Sequence, residues 1–123
     1  MNKVEFKDQR QTVDIELPSY PGSIVRVFKT LRNKDRDYLD EKYPNRENDK
    51  KESEMHSKEL IVGLIKEWNF ALDGVDVEIN LENINAMPDD DQLSIMAAYM
   101  NMSLEDMKKK SMEKLVEMQK KSA

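Results

Sequence analysis

Residues 60–87 read LIVGLIKEWNFALDGVDVEINLENINAM, and within these residues a helical pattern changes to a turn and an extended pattern. Its first nine residues place apolar side chains at i, i+1, i+4, i+5 and i+8, the spacing of one face of an α-helix. This pattern predicts a helix whose apolar stripe ends at the only tryptophan, and it is the best core element in the chain. The residues of the stripe are Leu60, Ile61, Leu64, Ile65 and Trp68.

The periodicity changes after the predicted helix. Asp73-Gly74 is a strong turn signal, and apolar residues then alternate with polar ones from Val75 to Ile79, which predicts a short extended segment. Asn80 is a favoured N-cap residue and predicts a single helical turn that stops near Pro88.

The order of these features resembles the tail assembly chaperones of long-tailed, siphovirus-type bacteriophages. The resemblance covers residue 12 to about residue 100 and depends on the sequence of pieces, each of which is common alone. The pieces are a helix ending in Trp68-Asn69-Phe70, the Asp73-Gly74 turn, an extended segment, the Glu82-Asn83-Ile84 turn and Met87-Pro88.

The resemblance implies a small protein of the host cytoplasm that is not an enzyme and is absent from the mature virion. Such a protein binds the tape-measure protein, keeps it soluble and promotes assembly of the tail tube, whose subunits are a second expected partner. The alternative is a structural virion component, such as a small tail or head-tail connector protein. A third alternative is a regulatory or nucleic-acid-binding module.

Composition limits the class of protein. The 123 residues are enough for one domain, but hydrophobic residues make up 38% and charged residues 37%, against about 45–50% and about 25% in typical globular domains. We therefore expect a thin core or partners that complete the burial. The absence of cysteine excludes disulfides and thiolate metal sites, and no apolar run approaches the length of a membrane span.

Charge is distributed unevenly along the chain. Residues 60–106 contain ten Asp or Glu and one Lys, whereas residues 107–123 contain six Lys and two Glu. Such asymmetry favours a charged partner or self-complementarity between neighbouring copies, and therefore a homo-oligomer. The acidic body disfavours binding to nucleic acid, which needs a basic face.

The remaining patterns complete an α+β prediction, with an N-terminal β-hairpin packed on a body of three to four helices. Residues 1–11 are predicted to be a flexible terminus, residues 12–102 one domain, and residues 103–123 a basic, methionine-rich helix. The hairpin would have a five-residue turn at residues 18–22. Asn33 would cap a short helix, and Ser53 or Ser57 would cap the central helix. Residues 44–53 would form a loop or a solvated helix start, of which we favour the loop. Ser103 would begin the last helix in a capping box.

No residue set predicts catalysis, a cofactor or a metal ion. Asp89, Asp90 and Asp91 follow a proline, and their close spacing is typical of a helix start and not of a calcium loop. His56 is the only histidine and has no nucleophile or second ligand near it in the sequence.

Two groups of residues are candidates for binding a protein. Trp68, Asn69 and Phe70 are either a binding hot spot or, as we favour, a fold signature together with Asp73 and Gly74. The C-terminal helix is methionine-rich, and thioether side chains adapt to varied partner surfaces, although core packing explains them equally well. The candidate partner-binding residues there are Leu104, Met107, Met112, Leu115, Val116 and Met118.

Overall fold

The computed structural model, which describes the backbone of residues 1–122 and the side chains of residues 1–120, has an α+β fold. A β-hairpin packs on a helical body, as the sequence predicts, but a third strand, which was not predicted, extends the hairpin to a three-stranded sheet. Five helices are present in the described part, because the short turn after Asn80 is one of them. The elements are β1 (Thr12–Leu17), β2 (Tyr20–Phe28), α1 (Asn33–Lys42), α2 (Lys50–Leu64), β3 (Ile65–Trp68), β4 (Ala71–Leu72), β5 (Val75–Asp76), α3 (Leu81–Asn85), α4 (Asp89–Met100) and α5 (Leu104–Ser122).

The predicted N-terminal hairpin is present, although its turn is shorter than expected. Strands β1 and β2 are antiparallel, and Leu17 pairs with Tyr20 across the two residues Pro18 and Ser19. The register then shifts, and Gly22 adopts a φ of 84° inside β2, a conformation that favours glycine. The prediction of a five-residue turn was wrong, because β2 already begins at Tyr20 and includes Pro21 and Gly22.

The largest correction concerns the central stripe. Helix α2 ends at Leu64, and Ile65–Trp68 forms strand β3, which pairs antiparallel with β2. Trp68 therefore lies on a strand and not on a helix. The backbone changes from helix to strand without an intervening loop, because pairing with β2 outweighs the helical spacing of this segment, whose Ile65 and Trp68 are residue types that favour strands.

Two helix starts also differ from the prediction. Arg32 and not Asn33 precedes α1 as its N-cap. Helix α2 begins within the predicted loop of residues 44–53, because the Asp49 side chain accepts a hydrogen bond from the Glu52 N–H. Ser53 and Ser57 therefore lie inside the helix and do not cap it.

Other local predictions are confirmed. Asp73 and Gly74 have φ values of 51° and 80° and connect β4 to β5 as a two-residue hairpin turn. The Asn80 side chain caps α3 by accepting from the Asn83 N–H at 2.9 Å. Helix α4 begins at Asp89, and the Ser103 hydroxyl accepts from the Asp106 N–H at the start of α5.

The core lies between the inner face of the sheet and helices α2, α3 and α4. Helix α4 contributes Ile95 to this core, whereas Leu93, Met96 and Met100 of the same helix are only partly buried. The buried core residues are Leu17, Val25, Val27, Leu39, Tyr43, Leu60, Ile61, Leu64, Ile65, Ile84, Met87 and Ile95.

Candidate interaction surfaces

Asn69, a residue of the predicted fold signature, forms hydrogen bonds with strand β2. Its side-chain Oδ1 accepts from the Ile24 N–H at 2.7 Å, and its Nδ2 donates to the Gly22 carbonyl at 3.2 Å. Its backbone N–H donates to the Ile24 carbonyl at 3.2 Å. These three bonds continue the β2–β3 pairing beyond the end of the strand, so Asn69 is a structural residue in this fold.

Trp68 and Phe70 form a small aromatic cluster with Tyr20. The ring centroids of Trp68 and Phe70 are 5.1 Å apart in an edge-to-face arrangement, as are those of Tyr20 and Phe70. The Trp68 indole N–H donates to the Val77 carbonyl at 2.7 Å. Both aromatic residues are half-buried, so they hold the β4–β5 hairpin on the sheet and also present a rim to solvent.

The β4–β5 hairpin carries an apolar strip that the sequence prediction missed. Leu72 pairs with Val75, and the Val77 N–H donates to the Phe70 carbonyl at 3.0 Å, so these four side chains share one face. Leu72 and Val75 are 70% and 69% exposed, whereas Phe70 and Val77 are half-buried at the base. We call Phe70, Leu72, Val75 and Val77 the hairpin strip.

Helix α5 divides the six predicted partner-binding residues into two groups. Met107 and Met118 are buried, and Leu104 and Leu115 are half-buried, so these four face the body, where α5 packs on α4. Met112 and Val116 are 62% and 46% exposed and lie one helical turn apart. We call Met112 and Val116 the α5 ridge.

The two surfaces carry charges of opposite sign. The exposed carboxylates of Asp73, Asp76 and Glu78 lie on the chain segment that also carries the hairpin strip. Exposed lysines lie along α5, which carries the ridge, and Lys108 also pairs with Asp90 of α4 at 3.1 Å. The exposed lysines are Lys108, Lys109, Lys110, Lys114 and Lys120.

The outer face of the three-stranded sheet is charged and differs from both surfaces. Arg26 lies between Asp14 and Glu67, and its Nε donates to Asp14 Oδ1 at 2.9 Å. This hydrogen bond lowers the pKa of the Asp14 carboxyl. The face is therefore a solvated row of ion pairs and not an apolar docking surface.

Two structural residues have no clear signal in the sequence. Asp91, one of the three predicted helix-start aspartates, is fully buried, and its Oδ1 accepts from the Ser19 N–H at 3.0 Å across the hairpin turn. Arg10 stacks on the Phe28 ring at 3.6 Å and donates to the Thr30 carbonyl, so ordered contacts begin before β1. Such contacts join residues far apart in sequence, and periodicity does not reveal them.

The described part of the chain has neither a metal-binding cluster nor a membrane-spanning helix. No group of three or more His, Asp or Glu residues there could hold a metal ion. No described helix has the length and apolar character needed to cross a bilayer. An open depression of about 370 Å³ lies between the end of β2, α1 and the end of α4, and its lining mixes charged, polar and apolar residues. The lining residues are Lys29, Thr30, Leu31, Arg36, Tyr99 and Met100.

The fold and its surfaces define a small α+β protein with two exposed apolar surfaces of opposite charge. Comparison of the chain with protein-family models, with curated proteins and with solved structures finds no match.

Proposed function

We propose that this protein is a phage tail assembly chaperone that binds the tape-measure protein, keeps it soluble and promotes assembly of the tail tube. It acts by protein contact and without a catalytic site, a cofactor or a metal ion. It works in the host cytoplasm and does not remain in the mature virion.

The observation that carries the proposal is the exposed α5 ridge. A long helical tape-measure protein presents apolar side chains at varied positions, and an unbranched thioether adapts its shape to such surfaces. Met107 and Met118 anchor the helix to the body, while Met112 and Val116 face solvent between lysines. A helix-in-groove or helix-on-helix contact with an amphipathic partner suits this arrangement.

The resemblance to tail assembly chaperones supports the proposal in a modified form. The Asp73-Gly74 turn, the Asn80-capped turn and Met87-Pro88 occur in the expected order. The helix, however, ends before the Trp68-Asn69-Phe70 triplet, which lies at and beyond the end of β3. The resemblance therefore depends on the order of the elements and not on a helical triplet.

Co-expression with the tape-measure protein tests the proposal. We expect the tagged chain to bring an otherwise insoluble tape-measure protein into a soluble complex, with its mass measured by light scattering. A ridge variant, Met112→Gln with Val116→Gln, should lower the soluble yield at least about tenfold, because both exposed apolar contacts are lost while helix propensity is kept. Tyr38→Gln is the matched control, since Tyr38 is also exposed on a helix.

The purified phage particle distinguishes the proposal from the alternative of a structural virion component. A chaperone should be absent from the particle, whereas a connector or tail protein should be present in a fixed copy number. Soluble tape-measure protein without this chain, or equal rescue by the ridge variant, would contradict the proposed binding surface.

A further inference from the structure

The hairpin strip and the α5 ridge are two apolar surfaces that the single chain leaves uncovered. The most exposed side chains of the hairpin strip are Leu72 and Val75, and the α5 ridge consists of the exposed pair Met112 and Val116. Since both pairs face solvent at the same time, neither surface covers the other within one molecule. An apolar surface left open on a folded chain commonly marks a site of association.

The two pairs match in dimensions. Leu72 and Val75 are direct cross-strand neighbours, whose Cβ atoms are about 4.5–5.5 Å apart in such hairpins. Met112 and Val116 are separated by one turn of helix, which places their Cβ atoms about 5–6 Å apart. A helix laid on the hairpin can therefore bring both members of one pair against both members of the other.

The charges at the two surfaces are also complementary. The hairpin lies in the segment with ten acidic residues and one lysine, and the ridge lies in the segment with six lysines and two glutamates. Asp73 is exposed at the turn of the hairpin, and Asp76 and Glu78 are exposed on the same segment of the chain. These carboxylates are opposite in sign to Lys109 and Lys120, which are exposed one helical turn before and after the ridge. Opposite potentials speed encounter and disfavour contacts between two strips or between two ridges.

We propose that the α5 ridge of one copy docks on the hairpin strip of a second copy. The contact joins two different surfaces, so each copy can engage two neighbours in a head-to-tail manner. Two apolar pairs with a charged rim form a small interface, and the association is therefore weak and dependent on concentration and salt.

The same contact would regulate binding of the tape-measure protein, and this inference rests on the proposed function. Docking on a neighbouring hairpin covers the α5 ridge, which is the surface proposed for the tape-measure protein. The partner then competes with self-association for the same ridge. A loss of the hairpin strip should accordingly free the ridge and leave binding of the tape-measure protein intact.

Two variants and their mixture test the self-association without any tape-measure protein. The hairpin variant is Leu72→Thr with Val75→Thr, which keeps strand-compatible residues, and the ridge variant is Met112→Gln with Val116→Gln. Sedimentation velocity at low salt should show self-association of the parent chain and an association constant at least about tenfold lower for each variant alone. An equimolar mixture should form a heterodimer, because one variant retains the ridge and the other retains the strip.

Each outcome of this experiment is informative. The control Val4→Thr, an exposed apolar residue outside both surfaces, should associate as the parent does, and high salt should weaken the parent association. A parent that is monomeric at all concentrations would overturn the proposal, as would a hairpin variant that associates normally. A symmetric contact, between two ridges or between two strips, would weaken the association of only one variant. The mixture would then form no heterodimer, and this result would also overturn the proposal. Circular dichroism of both variants verifies that the fold is kept.

Discussion

At the scale of single residues, Asp91 has the most demanding position. Its carboxylate is fully buried at the start of α4, Oδ1 accepts one hydrogen bond from the Ser19 N–H, and Oδ2 has no hydrogen-bond partner in the described part of the chain. The helix N-terminus favours the negative charge, which offsets part of its desolvation. Asp91 thereby joins the turn of the first hairpin to α4, and we expect it to be the most sensitive of the three aspartates.

Substitution of Asp91 tests this role. Asp91→Ala should lower the free energy of unfolding by about 2 kcal/mol, because the Ser19 N–H loses its hydrogen bond to a charged acceptor. Asp91→Asn keeps an acceptor oxygen and should cost less than Asp91→Ala. Asp89→Asn is the control, since Asp89 is exposed in the same turn, and it should change stability by less than about 0.5 kcal/mol. Urea unfolding curves give these values, and equal effects at the two positions would contradict the assignment.

At the scale of elements, two glycines differ in whether their backbone conformation accepts another residue. Gly63 lies inside α2, and a Cβ added there would meet only Leu31 Cδ1 at 3.7 Å, an ordinary contact. Gly74 has a φ of 80° in the β4–β5 turn, which an alanine adopts at a cost.

The two alanine substitutions should therefore change stability in opposite directions. Gly63→Ala should raise the free energy of unfolding by about 0.5–1 kcal/mol, since alanine favours the helix. Gly74→Ala should destabilise the hairpin by about 1 kcal/mol. Thermal unfolding measures the first change, and the dispersion of the hairpin amide signals in NMR spectra reports the second. A destabilising Gly63→Ala would show that the space beside Leu31 is not available.

The same scale shows which features a sequence can predict. Caps and turns such as Asn80, Ser103 and Asp73-Gly74 depend on neighbouring residues alone, and these predictions were confirmed. The end of α2 was predicted wrongly, because the spacing of Ile65 and Trp68 fits a helix and only pairing with β2 makes it a strand. The hairpin strip was missed for a related reason, since Leu72 and Val75 face one side only once their strands pair.

At the scale of the whole molecule, His56 lies where α1, α2 and α5 approach one another. Its ring packs edge-to-face on Tyr43 with centroids 6.1 Å apart. Burial lowers the pKa of His56 first, and the positive charges of Arg46 and Lys114 lower it further, against smaller opposing effects of Asp40 and Glu47. The folded state therefore favours the neutral imidazole.

This shift predicts a loss of stability in mildly acidic solution. Because the pKa of His56 is lower in the folded state, its contribution is complete above the unfolded value of about 6.5 and is lost as pH falls through the folded value. Urea unfolding of the parent chain should show decreasing stability from about pH 7.5 to about pH 5.5, and His56→Gln should reduce this slope. An unchanged slope would assign the pH dependence to other groups. The pKa of Asp8, lowered to about 2 by its hydrogen bonds with Arg10, places that group outside this range.

The direct passage from α2 into β3 has a consequence for cooperativity. Leu64 is the last helical residue and Ile65 the first residue of the strand, so no flexible connection separates the two hydrogen-bonding systems. Opening of the last turn of α2 must displace the register of β3 on β2, and detachment of β3 must pull on that turn. The helix end and the edge of the sheet consequently form one unfolding unit, in which amide protons exchange with solvent through a shared opening event.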